Sequence, residues 1–364
     1  MVSGRRGNMK KKALAMILAA AMVLGVTACG SSEAPATAPT EEASASGDEA
    51  QEGETPAGDE AAPAGESKDI MFVSIVTGGV AWGSAQKGFE DALAEVGWEG
   101  QYVSPTTAND TAGVIQLLDT AVTNKADGII TVILDTEQAT DVLGKAREAK
   151  IPVVTCNTFT TEELQDCWIG TDPHNMGVTQ AETAIKYLES GKYDQYDNIT
   201  ACYIQTTLET ETQNEQYKAF CDTILEKYPE ATLIQDECNS DAATASDKLA
   251  ALLKSYPDMN VVVSQDGYGC PGIANYVESE GLQDRLVVVG IDDSPEILNY
   301  ITSGALDCTI AQDFYTMGYE SVYYIKNIME GNAPAFANDS GTIVIGVDEV
   351  DEHMELLKER GLAD

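Results

Sequence analysis

The chain has 364 residues, of which 60 are Asp or Glu and 21 Lys or Arg, so its formal net charge at pH 7 is −39. A field of that sign repels phosphate backbones and excludes nucleic acid as a partner. Eight cysteines and two histidines, with no CxxC pair, signal neither a disulfide framework nor a zinc centre, and no metal or cofactor is expected.

The first residues read as an address. Arg5, Arg6 and Lys10 to Lys12 precede an almost uncharged run from Ala13 to Gly25, the pattern of a secretory signal that is too short to span a bilayer comfortably. Met9 is an alternative start. Val26-Thr27-Ala28-Cys29 resembles a lipobox, which implies cleavage after residue 28 and a diacylglycerol on the Cys29 thiol, two acyl chains being what stable anchoring needs. The plainer alternative is an ordinary signal peptide followed by a nearby cysteine. Gly30 to Lys68 contain no Val, Ile, Leu, Met, Phe, Tyr, Trp or Cys. Such a stretch cannot bury enough to fold, so residues 29–68 are expected to form an acidic tether reaching roughly 35 Å as a flexible coil.

From Asp69 onward the pattern is one of alternating strands and helices. Ile70 to Val76 is an apolar run of strand length, and Ala85, Phe89, Ala92, Leu93 and Val96 recur at helical spacing. Asp110 is a candidate N-cap for a helix burying Val114, Leu117, Leu118, Ala121 and Val122, with Gly128 to Ile133 as the next strand. A helix follows from Glu137 to Ala149, then a strand over Ile151 to Val154 that tolerates Pro152 near its start. Further strands are predicted near Ile199 to Ile204, Thr232 to Glu237, Val261 to Ser264 and Leu286 to Ile291, each followed by a helical stretch. Strands alternating with helices imply parallel sheets, and ligands of parallel sheets bind at the carboxyl ends of the strands. The 296 residues from Asp69 to Asp364 suffice for two lobes, each with its own core. Of the cysteines after Cys29, Cys156 and Cys167 lie close enough in sequence to bridge a short loop, and the remainder read as buried thiols.

The strand ends are polar. They carry Gly78-Gly79-Val80-Ala81-Trp82, Asp135, Asn157-Thr158, Asp266, Asp292-Asp293 and Gln312-Asp313. Any one of these Asp or Asn residues serves equally well as a helix cap or turn former. Together they supply carboxylates that accept hydrogen bonds, amides that give and accept, and a flat aromatic face, which is what a ligand rich in hydroxyl groups requires.

Several segments in this order resemble the periplasmic sugar-binding proteins related to ribose- and galactose-binding proteins, the type I receptors of ABC importers. They are Phe72-Val73-Ser74-Ile75-Val76, Gly88-Phe89, Asp127-Gly128-Ile129-Ile130, Ile151-Pro152-Val153-Val154, Gly170-Thr171-Asp172 with Gly177, Val287 to Asp292, and Thr309-Ile310-Ala311-Gln312. Ser104-Pro105-Thr106, Thr210 to Asn214 and Lys254 to Met259 look more like the autoinducer-2 and rhamnose-binding branch. The resemblance implies an α/β fold of two lobes, each a parallel sheet flanked by helices, joined by a three-crossing hinge at Asp172, Gln312 and the strand near Thr342 to Ile345. It implies an N-terminal lobe of residues 69–172 and 313–341, including a helix from Thr316 to Glu330, and a C-terminal lobe of 173–312 and 342–364.

Carried over by motif, Trp82 stands where the family stacks an aromatic on the sugar, with Gly79 and Asp135 at neighbouring strand ends. Asn157 replaces a frequent aspartate, and Asp266 and Asp292 occupy polar positions of the second lobe. Gln312 matches the hinge glutamine, and Gln216, with Asn214 beside it, occupies a position where arginine is common. Thr158 and Gln216 in place of two arginines leave a cleft short of positive charge, which suits a neutral sugar better than an anion, and Ala81 in place of a second aromatic suggests a single stacking platform. The expected role is thus a monomeric, lipid-anchored solute receptor that hands a small sugar to an ABC permease, or a sensory receptor presenting the same ligand to a membrane kinase or chemoreceptor. An enzyme is not expected, because neither histidine lies in a catalytic motif and no GxSxG, HExxH or GxxxxGK[ST] occurs.

Overall fold

In the computed structural model, residues 67–191 and 198–364 are described; the leader, Cys29 and the tether as far as residue 66 lie outside them. The chain builds two six-stranded sheets by the same winding. The first takes β1 (Asp69–Val73), β2 (Glu99–Val103), β3 (Gly128–Thr131), β4 (Val153–Cys156), β5 (Cys167–Gly170) and, late in the chain, β11 (Ala337–Asp339), in the order β11-β5-β4-β3-β1-β2. The second takes β6 (Thr200–Gln205), β7 (Thr232–Glu237), β8 (Val261–Gln265), β9 (Val287–Ile291), β10 (Cys308–Gln312) and β12 (Thr342–Gly346), in the order β12-β10-β9-β8-β6-β7. Each reverses direction beside its first strand, between β1 and β3 and between β6 and β8. Such switch points open a crevice at the carboxyl ends of the strands.

Every pairing is parallel except that of β12 with β10, so the second sheet carries one antiparallel edge, a common way to finish such a sheet. Central strands are apolar on both faces, as in Val261 to Val263 and Val287 to Val289, all essentially buried, because helices cover both sides. The helices are α1 (Val80–Val96), α2 (Thr111–Asn124), α3 (Thr136–Glu148), α4 (Pro173–Leu188), α5 (Glu211–Lys227), α6 (Ala242–Ser255), α7 (Cys270–Ser279), α8 (Pro295–Thr302), α9 (Phe314–Met329) and α10 (Val350–Glu359). Four buried clusters result, two on each sheet. Helix α9 packs on α1, and a Cβ on Gly88 or Gly318 would strike the backbone of the facing helix, so the late helix is locked onto the early lobe by glycine at the contact.

Strands β2, β5 and β11 are not among those expected from the sequence pattern. Strand β2 is an edge strand reading Glu-Gly-Gln-Tyr-Val with three exposed positions, so it lacks an apolar run. Strands β5 and β11 have four and three residues and are held chiefly by their neighbours. The chain passes between the sheets at Thr171–Asp172, at Asp313 and at Ser340–Gly341. Asp339 ties two of these passages together: Oδ1 accepts from the Asp172 and Gly341 amides at 3.0 and 2.9 Å, and Oδ2 from Asn175 Nδ2 at 2.7 Å. Burial works to raise its acid, but these donors outweigh it and hold Asp339 below the usual carboxylate range. Cys156 and Cys167, on adjacent strands, are both free thiols, and burial pushes the Cys167 thiol up to about 12.

Candidate ligand-binding cleft

The strand ends of the two sheets face each other across a cleft with two compartments. The first, about 700 Å³, is walled by Val76 to Trp82 and Phe314 on one side and by Gly267, Tyr268, Pro271 and the Asp292 to Ile297 turn on the other. The second, about 640 Å³, lies between Asn157 to Phe159 and Trp168 on one side and Thr206, Thr210 to Gln213, Gln216, Ser240 and Gln265 to Tyr268 on the other. Gly267, Tyr268, Asp292 and Gln312 border both. Among the described residues, no Lys, Arg or His lines either compartment.

Gly79 takes φ +71 immediately before α1, a left-handed turn that glycine makes without steric cost. That turn brings Trp82, in the first turn of α1, to the cleft. Its ring stands edge-to-face with Phe314 at 5.1 Å between centroids, which fixes its orientation while the side chain stays partly accessible. Trp82 and Asp292, from opposite sheets, border the same compartment.

Asn157 and Asp292 are structural counterparts. Each is the first residue after the fourth strand of its sheet, each has φ 65, and each donates its amide to the strand beyond, Asn157 to Ile169 O at 2.8 Å and Asp292 to Ile310 O at 3.2 Å. Left-handed backbone is unusual outside glycine and concentrates at ligand sites. Asn157 Nδ2 reaches Gln312 Oε1 at 3.5 Å, so the hinge glutamine touches the first wall. Gln312 also hydrogen-bonds the Asp292 carboxyl. Burial first, then the neighbouring Asp293 carboxylate and Asp266, push the Asp292 acid up to about 7, against the pull of the Gln312 bond. A Cβ on Gly267 would collide with Asp292 Oδ2, so this glycine makes room for the carboxyl. Asp293 turns away to His353 Nε2 at 2.8 Å.

Other expected residues have their groups engaged within the protein. Asp135 caps α3, accepting from the Gln138 amide at 3.0 Å and its side chain at 2.7 Å, and it does not line the cleft. Asn214 accepts from Gln205 and Gln235 and donates to Leu208 O; it too is absent from the lining, whereas Gln216 is present. Asp266 borders the second compartment, yet its oxygens accept from Thr206 Oγ1 at 2.5 Å, Ser240 Oγ at 2.7 Å and the amides of Tyr268 and Gly269 at 3.0 and 2.7 Å. It organises the loops around it.

Sequence reasoning missed the second aromatic wall. Phe159 is 56% exposed and stands edge-on to Trp168 at 5.7 Å; a Cβ on Gly170 would meet the Trp168 ring, so the strand end is bare where the indole folds back. A second aromatic face thus borders the other compartment, beside the single platform expected at Trp82. The missed signal was Phe159 itself, an apolar residue in the polar run after β4. Thr206, Gln213, Ser240 and Tyr268 were also missed, since hydroxyl and amide residues in loops are too common to mark a site.

Fold and cleft together define a two-lobed binding protein of type I. The chain belongs to the family described as periplasmic binding protein domain, which is matched over residues 70–333. It is similar to the ABC transporter periplasmic-binding protein YphF of Escherichia coli, 22% identical over 220 residues that cover 59% of this chain and 66% of that one. It is also similar to the D-galactose/methyl-galactoside binding periplasmic protein MglB of Haemophilus influenzae, 24% identical over 213 residues that cover 55% and 63%. The alignments thus span just under two thirds of the length of both relatives. Among solved structures, AraP, an arabinose-binding protein from Geobacillus stearothermophilus, superposes with a TM-score of 0.71 at 23% identity, covering 79% of this chain and 99% of that one.

Proposed function

We propose that this chain is the extracytoplasmic receptor of an ABC importer, monomeric and held to the membrane through a lipid on Cys29, which binds a neutral sugar between its two lobes and delivers it to the permease. One observation carries the reading: Trp82 and Asp292, on opposite sides of the hinge, border one compartment whose lining contains no cationic side chain among the described residues. A ring face for the C–H side of a sugar and a carboxyl group for its hydroxyls are complementary to a polyol and ill-suited to an anion. The names of YphF, MglB and AraP point the same way.

The mechanism is differential binding. Residues 69–172 with 313–341 act as one jaw and residues 173–312 with 342–364 as the other. Because each contributes part of the site, a ligand gains the full set of contacts only when they close, and the closed form that the permease reads becomes more populated. A hydrogen bond from a hydroxyl to Asp292 contributes about 1.5–3 kcal/mol. Asp292→Ala is therefore expected to weaken sugar binding by about ten- to a hundred-fold by calorimetry, with the fold intact by circular dichroism. Unchanged affinity refutes the assignment. Sugars, polyols, autoinducer-2 and nucleosides are to be ranked by the rise they cause in melting temperature, since a ligand at a thousand times its Kd adds about 4 kcal/mol.

A further inference from the structure

Resting on the reading of the cleft as a sugar site, we infer that its guest is a two-ring saccharide, one ring in each compartment and the glycosidic link over Asp292 and Gln312. The two compartments lie side by side along the cleft. Each is walled by both lobes, the first by Trp82 against Tyr268 and the Asp292 to Ile297 turn, the second by Phe159 and Trp168 against Thr206 to Gln216. At about 700 and 640 Å³, each alone falls within the roughly 300–1,000 Å³ that small-molecule sites occupy. A single ring would leave one of them to solvent.

Each compartment also holds its own recognition set. The first has the Trp82 ring, fixed by Phe314. The second has the exposed Phe159 ring, fixed by Trp168, together with two buried polar atoms that lack a protein partner, the donor Trp168 Nε1 and the acceptor Gln216 Oε1. Buried polar atoms are rarely left unpaired, and both of these belong to residues that line the one cavity. Residues common to both compartments, Asp292 and Gln312 among them, sit where a linkage and its flanking hydroxyls pass. Tyr268, 77% exposed on the opposite wall and bordering both, stands over the same junction.

The test is calorimetry on the full-length chain with D-glucose, D-galactose, D-xylose, L-arabinose and D-fructose, against cellobiose, lactose, maltose, melibiose, sucrose and xylobiose. The expected result is one disaccharide bound at least ten-fold more tightly than either of its component sugars. Phe159→Ala and Trp82→Ala are each expected to weaken that disaccharide about ten-fold, while only one of them affects a monosaccharide. Phe159 is exposed enough that its truncation spares the core, so this arm stands even if Trp82→Ala fails to fold. A monosaccharide bound as tightly as every disaccharide that contains it overturns the inference and leaves the sugar-receptor reading in place. Binding of no sugar of either size overturns both.

Discussion

The N-terminal wall of the cleft meets a guest with ring faces and turn backbone, Trp82, Phe159 and Gly78-Gly79, whereas the C-terminal wall meets it with carboxyl, hydroxyl and amide groups already bonded to one another. On the C-terminal side Asp266 gathers Thr206, Ser240 and two amides, and Gln213 joins Thr206 to the backbone of Gln265. Trp82 is held by packing against the cluster around Phe72 and Phe314, and Phe159 by the Trp168 ring, whereas the polar wall is held by a connected hydrogen-bond network. On the proposed reading, the preorganised polar wall would select hydroxyls and the aromatic wall would position the ring. Asn157 and Asp292 sharpen the contrast, since the same position and the same backbone geometry carry an amide on one side and an acid on the other.

The largest expected effect breaks the polar wall. Asp266→Ala removes a buried carboxylate and leaves two hydroxyls and two amides without their acceptor, and is expected to lower stability by about 3 kcal/mol, read as a fall in Tm of roughly 6–12 °C. Truncation of an aromatic on the opposite wall, such as Phe159, is expected to cost affinity instead. A Tm unchanged in Asp266→Ala would show that the network does not hold the C-terminal wall together.

A smaller effect isolates charge. The folded state raises the Asp292 acid to about 7, above its ordinary value near 4. The folded protein therefore holds this proton more firmly than the unfolded chain, and Asp292 costs nothing below pH 4 but an increasing amount as the pH rises to 7. Asp292→Asn removes that cost. The variant is expected to match the parent at pH 4 and to exceed it above pH 7 by about 1 kcal/mol or more, roughly 2–4 °C in Tm. Parallel Tm profiles of the two proteins from pH 4 to 8 would contradict this.

The smallest tests a residue outside the contrast. Asp135→Ala removes only the α3 cap, with an expected loss of about 1 kcal/mol and no change in sugar affinity. A ten-fold loss of affinity would return Asp135 to the site.

Much of the architecture was legible from the pattern of residues. Apolar runs such as Val261 to Val263 and Val287 to Val289 announce strands buried on both faces, and their alternation with helical periodicity implies two parallel-dominated sheets with a ligand at the carboxyl ends. The edges were not legible, because Glu99 to Val103 and Ala337 to Asp339 are strands by virtue of their neighbours. Nor was the antiparallel run of β12, since apolar content is silent on direction.

The residues by themselves determined the chemistry gathered at the strand ends: acids, amides, a tryptophan and no cation at the positions that matter. Only the tertiary structure decided which of these groups remain free. Asp135, Asp266 and Asp292 are indistinguishable as letters after a strand. Asp135 spends its oxygens on the adjacent helix, Asp266 on Thr206 across 60 positions of sequence, and Asp292 keeps its carboxyl at the junction of the two compartments. The physical reason is that an oxygen's hydrogen-bond capacity is finite, and the donors that fill it come from loops that folding alone brings together.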